Sequence, residues 1–111
     1  MTDWIDIGGL DDIPRLGART VDTREGPIAV FRTSDDEVFA LLNRCPHRGG
    51  PLSEGLVAGR KVACPLHNWV IDLSTGEAVA PDEGCTTTYP VRIEGGRLLL
   101  GLAPARAAAH A

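Results

Sequence analysis

Apolar residues along this chain fall in short clusters, mostly of four or five positions, separated by glycine, proline, aspartate and serine. Spacing of this kind suits small antiparallel sheets or barrels and predicts almost no helix. Strands are expected over residues 4–7, 19–22, 28–32, 38–42, 61–63, 69–73, 89–93 and 98–102. Ser34, Asp35 and Asp36 separate two of these runs and Gly95 and Gly96 separate two others, with the lengths and residue types of hairpin turns. Ser74, Thr75 and Gly76 signal a further turn. Consecutive strands are therefore expected to pair in an all-β fold.

Thirteen glycines and eight prolines, many between Pro46 and Pro90, make the middle of the chain shaped loop, and loops on a β scaffold are where function tends to sit. Residues 103–111 are alanine-rich, without β pattern or a large anchoring side chain, so they are expected to form a disordered tail behind one domain over residues 1–102. A length of 111 residues with 43% apolar content fits one soluble domain. Eleven Lys and Arg against fifteen Asp and Glu give a net charge of -4 with no basic patch, which argues against nucleic acid as a partner. The longest apolar runs, such as residues 98–102, are far short of the roughly 20 residues of a membrane span. The first residues show neither a basic nor an apolar leader segment, and a cytoplasmic location is expected. In a reducing compartment, three cysteines are better read as thiolate ligands or buried thiols than as disulfide partners.

Two segments concentrate the metal-binding chemistry. Cys45-Pro46-His47 is followed, after sixteen intervening residues, by Cys64-Pro65-Leu66-His67; the third histidine, His110, falls in the expected tail. Zinc accepts the same donors, but structural zinc sites usually pair Cys-x2-4-Cys with His-x3-5-His, and Cys-x-His is cramped for chelating one tetrahedral ion. Cys-x-His, sixteen residues, then Cys-x-x-His resembles the Rieske family. The resemblance implies an antiparallel Rieske-like β-sandwich or barrel with two cluster-binding loops, and one [2Fe–2S] cluster held by Cys45, His47, Cys64 and His67. The charge logic agrees: two ferric ions and two sulfides sum to about +2, so two thiolates and two neutral imidazoles leave the oxidised core neutral and easier to reduce than an all-thiolate cluster.

Respiratory-chain Rieske proteins carry an additional cysteine in each loop, with a serine and a tyrosine that bond to cluster sulfurs. This chain lacks them, which implies a soluble, ferredoxin-like member with a potential toward the lower end of the roughly −150 to +300 mV Rieske range. The longer strings from Cys45 to Gly55, from Cys64 to Leu73 and from Pro81 to Thr86 resemble the small subunit of NAD(P)H-dependent assimilatory nitrite reductase. That resemblance implies a large partner subunit carrying FAD, [4Fe–4S] and sirohaem, which reduces nitrite to ammonium. No catalytic residue is then expected on this chain. The alternative is a Rieske ferredoxin serving an aromatic-ring dioxygenase; those ferredoxins typically place glycine after the second ligand histidine, where this chain has Asn68. A third reading is a subunit that binds its partner only structurally.

Other residues carry a plain reading beside a sharper one. Cys85 reads as a buried thiol or as a group near the cluster, and Trp69 and Tyr89 read as core anchors or as parts of an electron path. Arg48 reads as a solvated arginine or as a contact to a partner carboxylate. Gly49, Gly50, Gly55 and Gly76 suit backbone turns, and Pro46, Pro51, Pro65 and Pro81 stiffen the loops. No Gly-x-Gly-x-x-Gly follows a strand, so NAD(P)H is expected on a partner.

Overall fold

A computed structural model describes residues 4–45, 50–65, 69–79 and 83–102. The expected tail over residues 103–111 lies outside them. The strands among the described residues are β1 (Trp4–Gly9), β2 (Ala18–Thr23), β3 (Gly26–Arg32), β4 (Val38–Leu42), β5 (Leu56–Ala58), β6 (Lys61–Ala63), β7 (Val70–Asp72), β8 (Thr88–Tyr89), β9 (Val91–Glu94) and β10 (Arg97–Gly101). The only helical pieces among these residues are two three-residue 3-10 turns, Leu10–Asp12 and Leu52–Glu54. The strands form three antiparallel sheets: β1-β10-β9, β2-β3-β4-β8 and β5-β6-β7.

The four-stranded sheet is the middle layer. Side chains alternate across a strand, so neighbouring residues of β3 serve opposite faces: Ile28 and Val30 join one core, Ala29 and Phe31 the other. In β4, Ala40 and Leu42 face the first of these cores, and Phe39 and Leu41 face the second. This two-sided burial explains why β3 reads as a continuous apolar run although its sheet is antiparallel. On the first face, Ile7, Leu98 and Leu100 from β1 and β10 close an apolar base core that includes Tyr89. On the second face, Leu52, Val57, Val62, Ile71 and Leu73 close a loop core that includes Cys45 and Cys64.

Charged contacts tie the layers together. The nearly buried Arg32 donates to the carbonyls of Leu10 and Ile13 at 3.2 and 2.8 Å and pairs with Asp36 at 2.9 Å, so its charge is satisfied where the β3–β4 hairpin meets the first 3-10 turn. Arg60, at the β5–β6 turn, forms a two-pronged pair with Glu37 at 2.9 and 2.7 Å, which fastens the third sheet to the tip of the same hairpin.

Three expectations are corrected. Leu56–Ala58 is a strand that the apolar pattern did not predict, because it is three residues long, lies between Gly55 and Gly59, and buries only Val57. The single strand expected over residues 89–93 is two strands in different sheets. Pro90 has no N–H for a ladder, and it marks the switch: Tyr89 pairs with Ala40 of the middle sheet, while Val91 pairs with Leu100 of the first. Pairing of consecutive strands holds for the hairpins but not for β1 with β10 or β4 with β8, which join distant parts of the chain.

Candidate functional site

Cys45 and Cys64 both lie in the loop core, each only 2% exposed. Each starts a loop that closes in the same way. The Cys45 N–H donates to the Gly50 carbonyl at 2.8 Å, and the Cys64 N–H donates to the Trp69 carbonyl at 2.7 Å, five residues ahead in both cases. His47 and His67, the other two expected ligands, fall between these closing bonds in sequence and lie outside the described residues.

Local sequence explains how the two loops come side by side. After the first loop, Pro51 (φ -75) leads into the 3-10 turn, whose Leu52 is fully buried in the loop core. The chain then passes Gly55, whose backbone packs so closely on the residue before Cys64 that a Cβ there would collide with the Ala63 carbonyl. Gly55 serves this close approach and not a left-handed turn, its φ being -80. Leu56 pairs with Ala63 and Ala58 with Lys61 around Gly59 (φ +58), so the exit of the first loop lies against the entry of the second.

Behind the second loop stands the β6–β7 ladder, in which Ala63 pairs with Val70 and Val62 with Ile71. Behind the first loop, the Asn43 side chain spans from one flank to the other. Its Oδ1 accepts the Ser53 N–H at 2.8 Å, and its Nδ2 donates to Ser53 Oγ at 3.0 Å. Neither Asn43 nor Ser53 is singled out by the sequence reading; their only signal is that two small polar residues flank the Cys-x-His segment.

The stretch from Glu83 to Thr87 braces both loops. Ala78 donates to the Gly84 carbonyl at 2.8 Å and Cys85 bridges to Glu77, while Leu42, just before the first loop, donates to the Thr87 carbonyl at 2.8 Å. Gly76 (φ +76) is required here, since it occupies a left-handed conformation against the Thr86 carbonyl, and its own carbonyl accepts the Thr86 N–H at 2.8 Å. Cys85 is half-buried beside Glu77 and belongs to neither core, which corrects its reading as a buried core thiol. The aromatics part company as well: Trp69 packs against the loop core next to the second loop, whereas Tyr89 sits in the base core on the far side of the middle sheet. Burial, followed by the nearby Glu25, raises the Tyr89 phenol above its ordinary value.

The donor chemistry suits a cationic centre. A lone thiolate is costly in an apolar cluster, and two cysteines at matched loop entries can share a centre that supplies the opposing charge. None of the three cysteines is joined in a disulfide. No helix among the described residues is long and apolar enough to cross a membrane.

Comparisons with known proteins agree with this geometry. The Rieske [2Fe-2S] domain model matches residues 3–90. The chain is 38% identical over 98 residues to the ferredoxin component of the naphthalene 1,2-dioxygenase/salicylate 5-hydroxylase systems of Ralstonia sp, covering 87% of this chain and 93% of that protein. Among solved structures, the E. coli protein NirD superposes with a TM-score of 0.80 at 29% identity, covering 93% of this chain and 99% of that one. A Mycobacterium tuberculosis chain described as an NADH-dependent nitrite reductase small subunit shares the fold with a TM-score of 0.83 at 24% identity, covering 91% and 96%. With both cysteine loops inside the matched span and the fold shared along nearly the whole length, this chain belongs to the Rieske [2Fe–2S] domain family, an electron-transfer domain of oxidoreductase systems.

Proposed function

We propose that this chain is a one-electron carrier whose [2Fe–2S] cluster is held by Cys45, His47, Cys64 and His67, and that it works as the small subunit of an NAD(P)H-dependent nitrite reductase. The observation that carries the first half is the matched pair of loops, each entered by a cysteine buried in one core and closed by the same five-residue hydrogen bond. When bound, the cluster supplies reversible transfer of a single electron. The chain's own residues position it. Buried Leu52, Val62 and Ile71 exclude water from the cysteine side, while the turns around Gly55 and Gly76 keep the two loop entries together.

The partner assignment is supported by His67-Asn68-Trp69 and Asp82-Glu83-Gly84-Cys85, which resemble the nitrite reductase small subunit. FAD, [4Fe–4S] and sirohaem would then sit on the large subunit, where nitrite is reduced to ammonium. A second reading, a Rieske ferredoxin feeding an aromatic-ring dioxygenase, is favoured by the curated relatives at 36 to 38% identity that bear dioxygenase ferredoxin names.

The electron-carrier half is tested on anaerobically purified, dithionite-reduced protein. Two irons per chain with a rhombic electron paramagnetic resonance signal are expected, and zinc or no metal overturns it. The partner half is tested by adding the loaded protein to the large subunit and following nitrite-dependent NAD(P)H oxidation. Stimulation is expected with wild type and not with Cys64→Ala. An unchanged nitrite rate, together with turnover of a ring dioxygenase supplied with its reductase, favours the ferredoxin.

A further inference from the structure

The two loops share a closing bond but not the support behind it. Behind Cys64 and Trp69 runs a regular ladder, with Ala63 opposite Val70, Val62 opposite Ile71 and Lys61 opposite Asp72. Behind Cys45 and Gly50 no such ladder runs among the described residues. On one flank, Leu42 and Asn43 direct their N–H groups away, to the carbonyls of Thr87 and Pro27; on the other, Leu52–Glu54 is a 3-10 turn. The flanks are joined instead by the Asn43 side chain, which takes the Ser53 N–H on Oδ1 at 2.8 Å and gives Nδ2 to Ser53 Oγ at 3.0 Å, with Thr20 Oγ1 at 3.4 Å from the same nitrogen. An amide is the side chain that offers an acceptor and two donors in one plane, so it can hold a backbone N–H and a hydroxyl of one residue together. The contact from residue 43 to residue 53 encloses the first loop as the ladder encloses the second.

We propose that Asn43 is the positioning residue of the first loop, a side-chain clasp that takes the place of a strand ladder and fixes Cys45 for its role as a ligand. This rests on the reading of the loops as cluster ligands, and it adds that the two flanks of one loop are joined by a backbone ladder and those of the other by a single polar side chain. The first loop is therefore the one that a point substitution can release without disturbing its partner.

The test uses the whole protein as purified, with Asn43→Ala, Asn43→Asp and, as a control for general destabilisation, Leu98→Ala in the base core. Aspartate keeps both arms, because the Ser53 hydroxyl can turn to donate; alanine keeps neither. In Asn43→Ala, amide hydrogen exchange at Ser53 and Cys45 should accelerate about tenfold or more while Cys64 keeps its wild-type rate, and Asn43→Asp should restore protection. Iron loss to a chelator should accelerate by a similar factor, beyond that of Leu98→Ala. Wild-type exchange at Ser53 and Cys45 in Asn43→Ala, or acceleration shared equally with Cys64 as in Leu98→Ala, overturns the clasp. If the wild-type protein holds no iron, the electron-carrier reading fails and exchange alone still decides the clasp. Should Asn43→Ala not fold, Ser53→Ala removes only the hydroxyl arm and is read in the same way, with an acceleration of about threefold expected.

Discussion

The middle sheet carries two cores, and they differ in kind. The base core is built from aliphatic side chains such as Ile7, Ile28, Val30, Leu98 and Leu100, with Tyr89, and lies beneath a sheet in which β1 and β10 pair along most of their lengths. The loop core sets Ala29, Phe31 and Leu41 against three-residue strands, close glycine contacts and two cysteines. Long ladders and aliphatic burial suit the first to stability. Short strands leave the second with loop ends free to present ligands. Because β3 and β4 serve both, odd and even positions of one strand answer to different demands: Val30 is a base residue and Phe31 a site residue.

If that division is real, the two cores should fail differently. The largest effect is expected from Cys64→Ala, which should abolish bound iron and visible absorbance while the circular dichroism of the folded β domain is retained; a variant that keeps two irons per chain refutes the ligand role. Leu100→Ala, at a fully buried base position, should cost about 2–5 kcal/mol in denaturant unfolding yet leave iron per folded chain unchanged. Disproportionate iron loss at full stability would merge the two cores into one.

Gly76→Ala tests the loop side by backbone alone. The left-handed conformation and the collision with the Thr86 carbonyl together should cost about 1–3 kcal/mol and speed iron release. Gly95→Ala, also left-handed (φ +57) but in open space at the β9–β10 turn, should cost only about 1 kcal/mol and leave iron release alone.

The smallest effect concerns the hairpin that both cores share. Asp36 accepts hydrogen bonds from Arg15 and Arg32, and these guanidiniums hold its carboxyl down at about 2 against an ordinary 3.8. A depressed carboxylate stabilises the fold above its unfolded value, and that contribution is lost as pH falls through its folded value. Thermal midpoints should therefore drop between about pH 4 and pH 2 more in wild type than in Asp36→Asn, a change that keeps a side chain tolerant of φ 63 and removes the charge. Parallel acid limbs would show that the Arg15–Asp36–Arg32 group does not set this pH dependence.

Much of this protein is written locally. Short apolar clusters, turn residues at Asp35–Asp36 and Gly95–Gly96, and the paired Cys/His segments each depend on neighbours a few positions apart, so the strands at residues 38–42 and 61–63, the β3–β4 and β9–β10 hairpins and the two cysteine loops are legible in the sequence. Tertiary structure alone decided what depends on distant segments meeting. The three-residue strand at Leu56 gains its identity only by pairing with Ala63, and Pro90 separates two sheets because Ala40 and Leu100 wait on either side. Asn43 becomes a clasp only because the second flank of its loop returns Ser53 to it. A side-chain period reports which way a residue faces, whereas a register or a clasp reports which remote backbone lies there, and remote position follows from packing the whole chain.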